Sequence, residues 1–252
     1  MKKSALNLLF CLMLGTWSIH DSSARELQIV SSDWAPYYGS ELANDGVISE
    51  LVRTALEVSG HQARFRFVPW MRALQEAEMG RADLLMGAYY TAERATRFIY
   101  SEPFYEIRLG LIALKSLGVT HYENLEDLKP YTIGIGRGWA NSESFDDARY
   151  LKKEEATNQI LNVRKLFRKR VDMVVMAHGV FNYERNRMAK KFKQPTVFIQ
   201  PLLDKKQLFM MSSRRLNHSQ ELIDDFNLGL KRIIKDGRYQ KILERFGFAV
   251  KQ

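Results

Sequence analysis

Apolar positions along the chain fall into two rhythms, and the places where one gives way to the other mark out its elements. Leu27 and Ile29 alternate with polar neighbours and lead into Trp34-Ala-Pro-Tyr-Tyr38. Alternation reads as a strand, and Pro36 ends it because its nitrogen has no hydrogen to donate. Val47, Leu51 and Ala55 then recur every four residues, with Ile48, Val52 and Leu56 one step behind, until Gly60. That spacing stacks six apolar side chains on one helix face, and the glycine suits its C-terminal cap. Phe65 and Phe67 alternate again. Met71, Leu74 and Ala77 predict a short helix stopped by Gly80, and residues 83–86 predict a third strand.

The order β-α-β-α-β builds a mostly parallel sheet covered by helices. The pattern then restarts. Residues 109–114 are apolar, 131–135 alternate, Ile160, Val163, Leu166 and Phe167 mark a helix, and 171–176 read as a buried strand. A helix over 180–189 and a strand at 197–199 follow. Residues 117–130, with Gly118, Asn124 and Pro130, read as the transition between two α/β units. Leu222, Phe226, Leu230 and Ile234 share one face of a long helix, and Ile242, Leu243 and Phe246 lie on another. Two lobes are expected.

Composition narrows the class. With 46% hydrophobic and 27% charged residues, six Pro and one Cys in 252 residues, disorder, collagen and a disulfide-stapled miniprotein are excluded. Lys2 and Lys3 precede a mostly apolar run over 6–17, and Ser22-Ser23-Ala24 offers small residues for cleavage, so residues 1–24 read as a secretory signal cut near Ala24. The run is short for a membrane span, which needs roughly 20 residues. Cys11, in that run behind Phe10, does not look like a lipidation site and would leave with it. The exported chain then holds no thiol, and its stability must come from burial. Losing Lys2, Lys3 and Asp21 moves the net charge from +9 by one unit. Basic residues are scattered and the chain is exported, which argues against a nucleic-acid partner.

Several chemistries lack their residues. Gly134-Ile-Gly-Arg-Gly138 follows a strand but has neither the third spaced glycine of a dinucleotide loop nor the Lys-Ser/Thr of a phosphate loop. His61, His121, His178 and His218 show no i,i+4 pairing and no Glu-bearing zinc motif, and no Gly-x-Ser-x-Gly elbow occurs. No metal site, catalytic residue or cofactor is expected.

Five short motifs, in order, carry a resemblance. Asp33-Trp-Ala-Pro-Tyr37, Gly80-Arg-Ala-Asp-Leu84, Thr91-Ala-Glu-Arg94, Ser101-Glu-Pro-Phe104 and Lys169-Arg-Val-Asp172 are similar to those of family 3 bacterial extracellular solute-binding proteins, the periplasmic receptors of polar amino-acid ABC transporters and relatives. The similarity runs through Gly237-Arg-Tyr239, over nearly the whole mature chain. It implies an α/β, two-lobe periplasmic binding protein-like (type II) fold with a hinge and an interlobe cleft. The first lobe would comprise 25–112 and 208–252, and the second 113–207. The lobes of such a clamp close over a ligand, and a membrane partner reads the closed form.

The resemblance also implies a site. Arg94 matches the arginine that pairs with the ligand carboxylate, a task for which a guanidinium fork makes two parallel charge-assisted bonds. Trp34 matches an aromatic that stacks on the ligand, Tyr37 closes the same motif, Trp70 matches a further cleft position, and Tyr89 stands where a small hydroxyl residue is usual. On the second lobe Trp139 and Ala140 replace the Thr pair of a Gly-Thr-Thr turn. Where amino-acid receptors place an aspartate for the ligand ammonium, this chain has Ala177, followed by His178 as a possible polar substitute. A cleft lined by three tryptophans suits a flat, cyclic or aromatic ligand. The implied partners are a small molecule and an ABC permease of the inner membrane, with the receptor monomeric in the periplasm. Two alternatives stay open: a sensory receptor docking on a membrane signalling protein, and a dehydratase-like enzyme using Glu50 or Glu106 as a general acid.

Overall fold

The computed structural model describes residues 25–189, 192 and 194–248. The expected signal segment, its cleavage point at Ala24 and Cys11 lie outside them. Two copies of the β-α-β-α-β unit are present. In the first, β1 (Glu26–Ser31), α1 (Val47–Val58), β2 (Gln62–Phe67), α2 (Trp70–Glu78) and β3 (Leu84–Ala88) follow in order, with β1 parallel to both β2 and β3. Then come α3 (Ala92–Ala95), β4 (Phe98–Tyr100) and β5 (Tyr105–Leu114). The second unit is β6 (Thr132–Gly136), α4 (Glu143–Asp147), β7 (Lys152–Ala156), α5 (Gln159–Phe167) and β8 (Met173–Ala177), with β6 parallel to both β7 and β8. α6 (His178–Arg187), β9 (Thr196–Ser213), α7 (Ser219–Lys235) and α8 (Arg238–Arg245) complete the described chain.

The strand order is β2-β1-β3-β9-β5-β8-β6-β7, with β4 on β9, so each unit keeps its first strand in the middle. Between the units run β5 and β9, antiparallel to each other: Tyr105 to Leu109 pair with Leu208 to Asp204, and Leu111 to Leu114 with Ile199 to Thr196. The register breaks between Leu109 and Leu111. Beyond it β5 also pairs with β8, from Leu109↔Ala177 to Ala113↔Met173. These two strands link the two units in the strand order.

Burial follows the predicted helix faces with two corrections. In α1 the six predicted residues are all buried, and in α7 Leu222, Phe226 and Leu230 are buried as expected. Ile234, however, is 53% exposed, and Ile223 and Ile233 take the inner positions instead. In α2 the predicted Met71 is 47% exposed while Trp70, Ala73 and Ala77 face the sheet, because a nine-residue helix lets two overlapping i,i+3 stripes compete. The segment 117–130 is not the junction. Its Tyr122 and Leu128 pack with Leu111, Ile133 and Phe145 in the second-lobe core, and the crossing is made by β5 and β9. The strand β7, Lys-Lys-Glu-Glu-Ala, was not visible in the hydrophobic rhythm because it is an edge strand pairing only with β6. Charged side chains are common on such edges.

Candidate functional site

The loop after β1 is closed by the Trp34 amide on the Tyr38 carbonyl at 2.8 Å and by the Tyr37 amide on the Trp34 carbonyl at 3.0 Å. Asp33 Oδ1 anchors its far side, accepting from the Ser40 amide and hydroxyl. This folding turns Trp34 and Tyr38 to the same side. After β3, Thr91 caps α3 by accepting the Arg94 amide at 3.1 Å, which sets Arg94 in a four-residue helix facing inward. From the second lobe, the turn after β6 carries Trp139, whose indole lies so close over Gly136 that a Cβ there would stand 2.7 Å from Trp139 Cγ. The glycine-rich run 134–138 is thus a seat for an aromatic ring, with Gly138 at φ +68 closing the turn.

These loops converge. Trp34, Tyr38, Trp70, Gly87, Tyr89 and Arg94 from the first lobe, with Trp139 and Ala140 from the second, enclose a cavity of about 10 Å³ measured for a water-sized sphere. That is the space of roughly one water molecule. Trp139 fills the rest, with its ring centroid 5.9 Å from Trp34 and 6.1 Å from Trp70.

Arg94 dominates the electrostatics. Its side chain is 6% exposed, donates to the Tyr89 carbonyl at 3.2 Å and the Gly138 carbonyl at 2.8 Å, and lies 5.4 Å over Trp70. It makes no ion pair with any described residue. Burial is the first cause that pushes its pKa down, with Arg97 adding to it, and the more distant charges of Glu93 and Asp146 offset this only in part. The Gly138 carbonyl is one of the contacts between the two units, because it accepts from Trp70 Nε1 as well, at 3.1 Å. Trp34 Nε1 and the Tyr89 hydroxyl are buried without a hydrogen-bond partner. Burial drives the Tyr89 hydroxyl pKa well above its ordinary value, with neighbouring tyrosines and Asp204 adding to it, so Tyr89 is a donor.

Of the eight expected site residues, the structure brings Trp34, Trp70, Tyr89, Arg94, Trp139 and Ala140 to this cavity. Tyr37 and His178 stand elsewhere. Tyr37 turns toward the strand connection, with Tyr105 at 5.8 Å, Phe248 at 5.5 Å and its hydroxyl against Gly179. His178 opens α6, lies with its ring tilted by 39° and centred 4.0 Å from that of Phe198, and covers Gly110; its pKa is lowered by burial first and by Arg108 second. Tyr38 and Gly87 were not expected. Gly87 had a readable signal, since a glycine ending an apolar strand marks a close approach. The Tyr38 hydroxyl occupies the place of its missing side chain. Glu50 pairs with Arg53 and Arg245, and Glu106 accepts from Gln207 on β9; neither lines the cavity. Among the described residues no cluster of His, Cys, Asp and Glu is placed to hold a metal, and no helix is long and apolar enough to cross a membrane.

Residues 28–249 match the model of the bacterial extracellular solute-binding proteins, family 3. No curated protein matches the chain in sequence. Among solved structures, a histidine kinase sensor domain with similarity to periplasmic binding proteins shares 20% identity, with 88% of this chain and 96% of that one covered at TM-score 0.77. A variant of ArgBP from T. maritima shares 16%, covering 88% and 95% at TM-score 0.75. The arginine-, lysine-, histidine-binding protein ArtJ from Geobacillus stearothermophilus shares 17%, covering 90% and 97% at TM-score 0.72. These likenesses agree on the two-lobe fold.

Proposed function

Because the chain belongs to family 3 of the bacterial extracellular solute-binding proteins, we propose that it is a periplasmic receptor that closes around a small polar, carboxylate-bearing or cyclic solute and delivers it to an inner-membrane ABC permease. The observation that carries this reading is the unpaired charge of Arg94. A buried guanidinium held only by two backbone carbonyls is costly until an anion reaches it, and a ligand carboxylate supplies one. Trp34 Nε1 and the Tyr89 hydroxyl add two further donors in the same wall. We take the lobes as 25–112 with 208–252 and 113–207, and the receptor as an exported monomer that uses no cofactor.

No carboxylate lines the cavity to meet a ligand ammonium, which speaks against an ordinary α-amino acid as the solute. The solved sensor-domain relative favours a second reading, in which the closed form docks on a membrane signalling protein. Loss of solute uptake in a strain lacking the protein supports delivery; intact uptake with a lost transcriptional response supports sensing.

Binding itself is tested by thermal shift across polar and aromatic acids, amino acids and small sugars, alongside tryptophan fluorescence. A ligand at 100 times its dissociation constant stabilises by about 2.7 kcal/mol. At roughly 2–4 °C per kcal/mol the melting temperature rises by about 5–11 °C. All three described tryptophans line the cavity, so emission must change on binding. Arg94→Ala removes two bonds worth roughly 1.5–3 kcal/mol each and should abolish the response. Undiminished affinity in that variant would overturn the carboxylate assignment.

A further inference from the structure

The geometry points to a methylated-ammonium carboxylate as the solute, a compact zwitterion whose carboxylate meets Arg94 and whose N-methyl cation sits among the indole faces. This inference rests on the binding role proposed above and names the ligand class for the same cavity. Three observations carry it.

The first is the attitude of the rings. A flat solute held by stacking needs two nearly parallel faces, whereas on the first-lobe wall Trp34 is inclined by 45° to Tyr38 and by 76° to Tyr89. Inclined faces converge on a rounded group from several directions. Each face carries the negative side of a ring quadrupole, so the group they favour is a cation.

The second is the scarcity of hydrogen-bond acceptors on side chains, which are the Tyr38 and Tyr89 hydroxyls. No acidic residue lines the cavity. An ammonium with three N–H groups would lose its water partners there and gain at most two neutral hydroxyls. A fully methylated nitrogen has no donors to lose. Its charge cannot sit beside Arg94 unaided, and the carboxylate on the same molecule balances that guanidinium.

The third is the approach. A groove of about 670 Å³ between the lobes shares Arg94 and Trp139 with the cavity, and Glu93, Glu143, Asp146, Asp147 and Glu155 line it against Arg94 and Lys206. On a chain of net charge +9 this is a local excess of negative charge at the mouth of the aromatic cage. It draws a cationic head inward.

The test is a fluorescence and calorimetric titration of the full mature chain with N,N,N-trimethylglycine, glycine, 3,3-dimethylbutanoate and benzoate. The butanoate has the shape and carboxylate of trimethylglycine without its positive charge. Trimethylglycine should bind, with the butanoate about thirtyfold weaker, the ratio expected of a desolvated cation–π contact. Glycine should be weaker still. Trp139→Leu should lose a similar factor while Trp139→Phe, which keeps a ring, loses less than tenfold. Equal affinity for the butanoate, equal behaviour of the Leu and Phe variants, or no binding of trimethylglycine overturns the inference. Arg94-dependent binding of benzoate without trimethylglycine overturns it too, yet leaves the receptor reading intact. Failure of every acid in the screen removes both.

Discussion

The packing of α7 on α1 makes a substitution for which two effects have opposite signs. Gly229 lies on the buried face of α7, and a Cβ built on it would overlap the Ala55 carbonyl oxygen, with the carbonyl carbon at 2.7 Å and Ser59 Oγ at 2.9 Å. Helix propensity favours Gly229→Ala by about 1 kcal/mol. Sterics oppose it, because the two nearest neighbours are backbone atoms of Ala55 in α1 and cannot rotate away. Ordinary contacts begin near 3.4 Å, so the helices must part by on the order of 1 Å. Overpacking of this kind costs roughly 3 kcal/mol, the upper part of its usual range. Parting the helices also strains the Ser59 hydroxyl bond to the Asp225 carbonyl, 2.6 Å long and worth about 1 kcal/mol. The net is a destabilisation of about 3 kcal/mol, or a fall in melting temperature of roughly 6–12 °C. Calorimetry of the wild type and Gly229→Ala decides it. A melting temperature unchanged, or raised as propensity alone demands, would refute the close approach of the two helices.

Two further outcomes follow from the first lobe. Hydrogen bonds from Arg66 and then Arg72 lower the Glu76 carboxyl pKa from 4.5 to about 2. The folded state therefore favours its ionised form: the contribution is complete above about pH 4.5 and fades as pH falls toward 2. Urea titrations between those limits should show a shallower acid loss in Glu76→Gln than in the wild type; parallel curves would show that this carboxylate is not the source. At Gly87, φ is +82 and the Tyr38 hydroxyl fills the side-chain position, with Tyr38 Cζ at 2.8 Å. The left-handed backbone alone costs Gly87→Ala about 1–2 kcal/mol, a drop of roughly 2–8 °C, and the displaced Tyr38 ring should alter near-ultraviolet circular dichroism. A variant melting and absorbing like the wild type would contradict the contact.

Much of this protein was legible along the chain. The first β-α-β-α-β unit, the strands β6 and β8 and helix α5 of the second, the inner face of α1 and most of that of α7 follow from periodicity, because each element must bury one side of itself wherever it ends up. Arg94 and the three tryptophans were readable as motif residues. What the chain could not state is which elements meet. The inner face of α2 is Trp70 rather than Met71, since a nine-residue helix takes its orientation from the sheet beneath it. The lysine and glutamate strand β7 exists because β6 offers it an edge, and β9 runs for 18 residues because β3, β4 and β5 all pair with it. The cavity has the same origin. Tyr38 rather than Tyr37 faces it because one backbone bond closes the Trp34 loop, and Trp139 reaches Trp34 and Trp70 only because two strands carry the second lobe across to the first. Periodicity records whether a side chain avoids water, a local property; the partner it meets depends on contacts between residues a hundred positions apart, which only the closed chain decides.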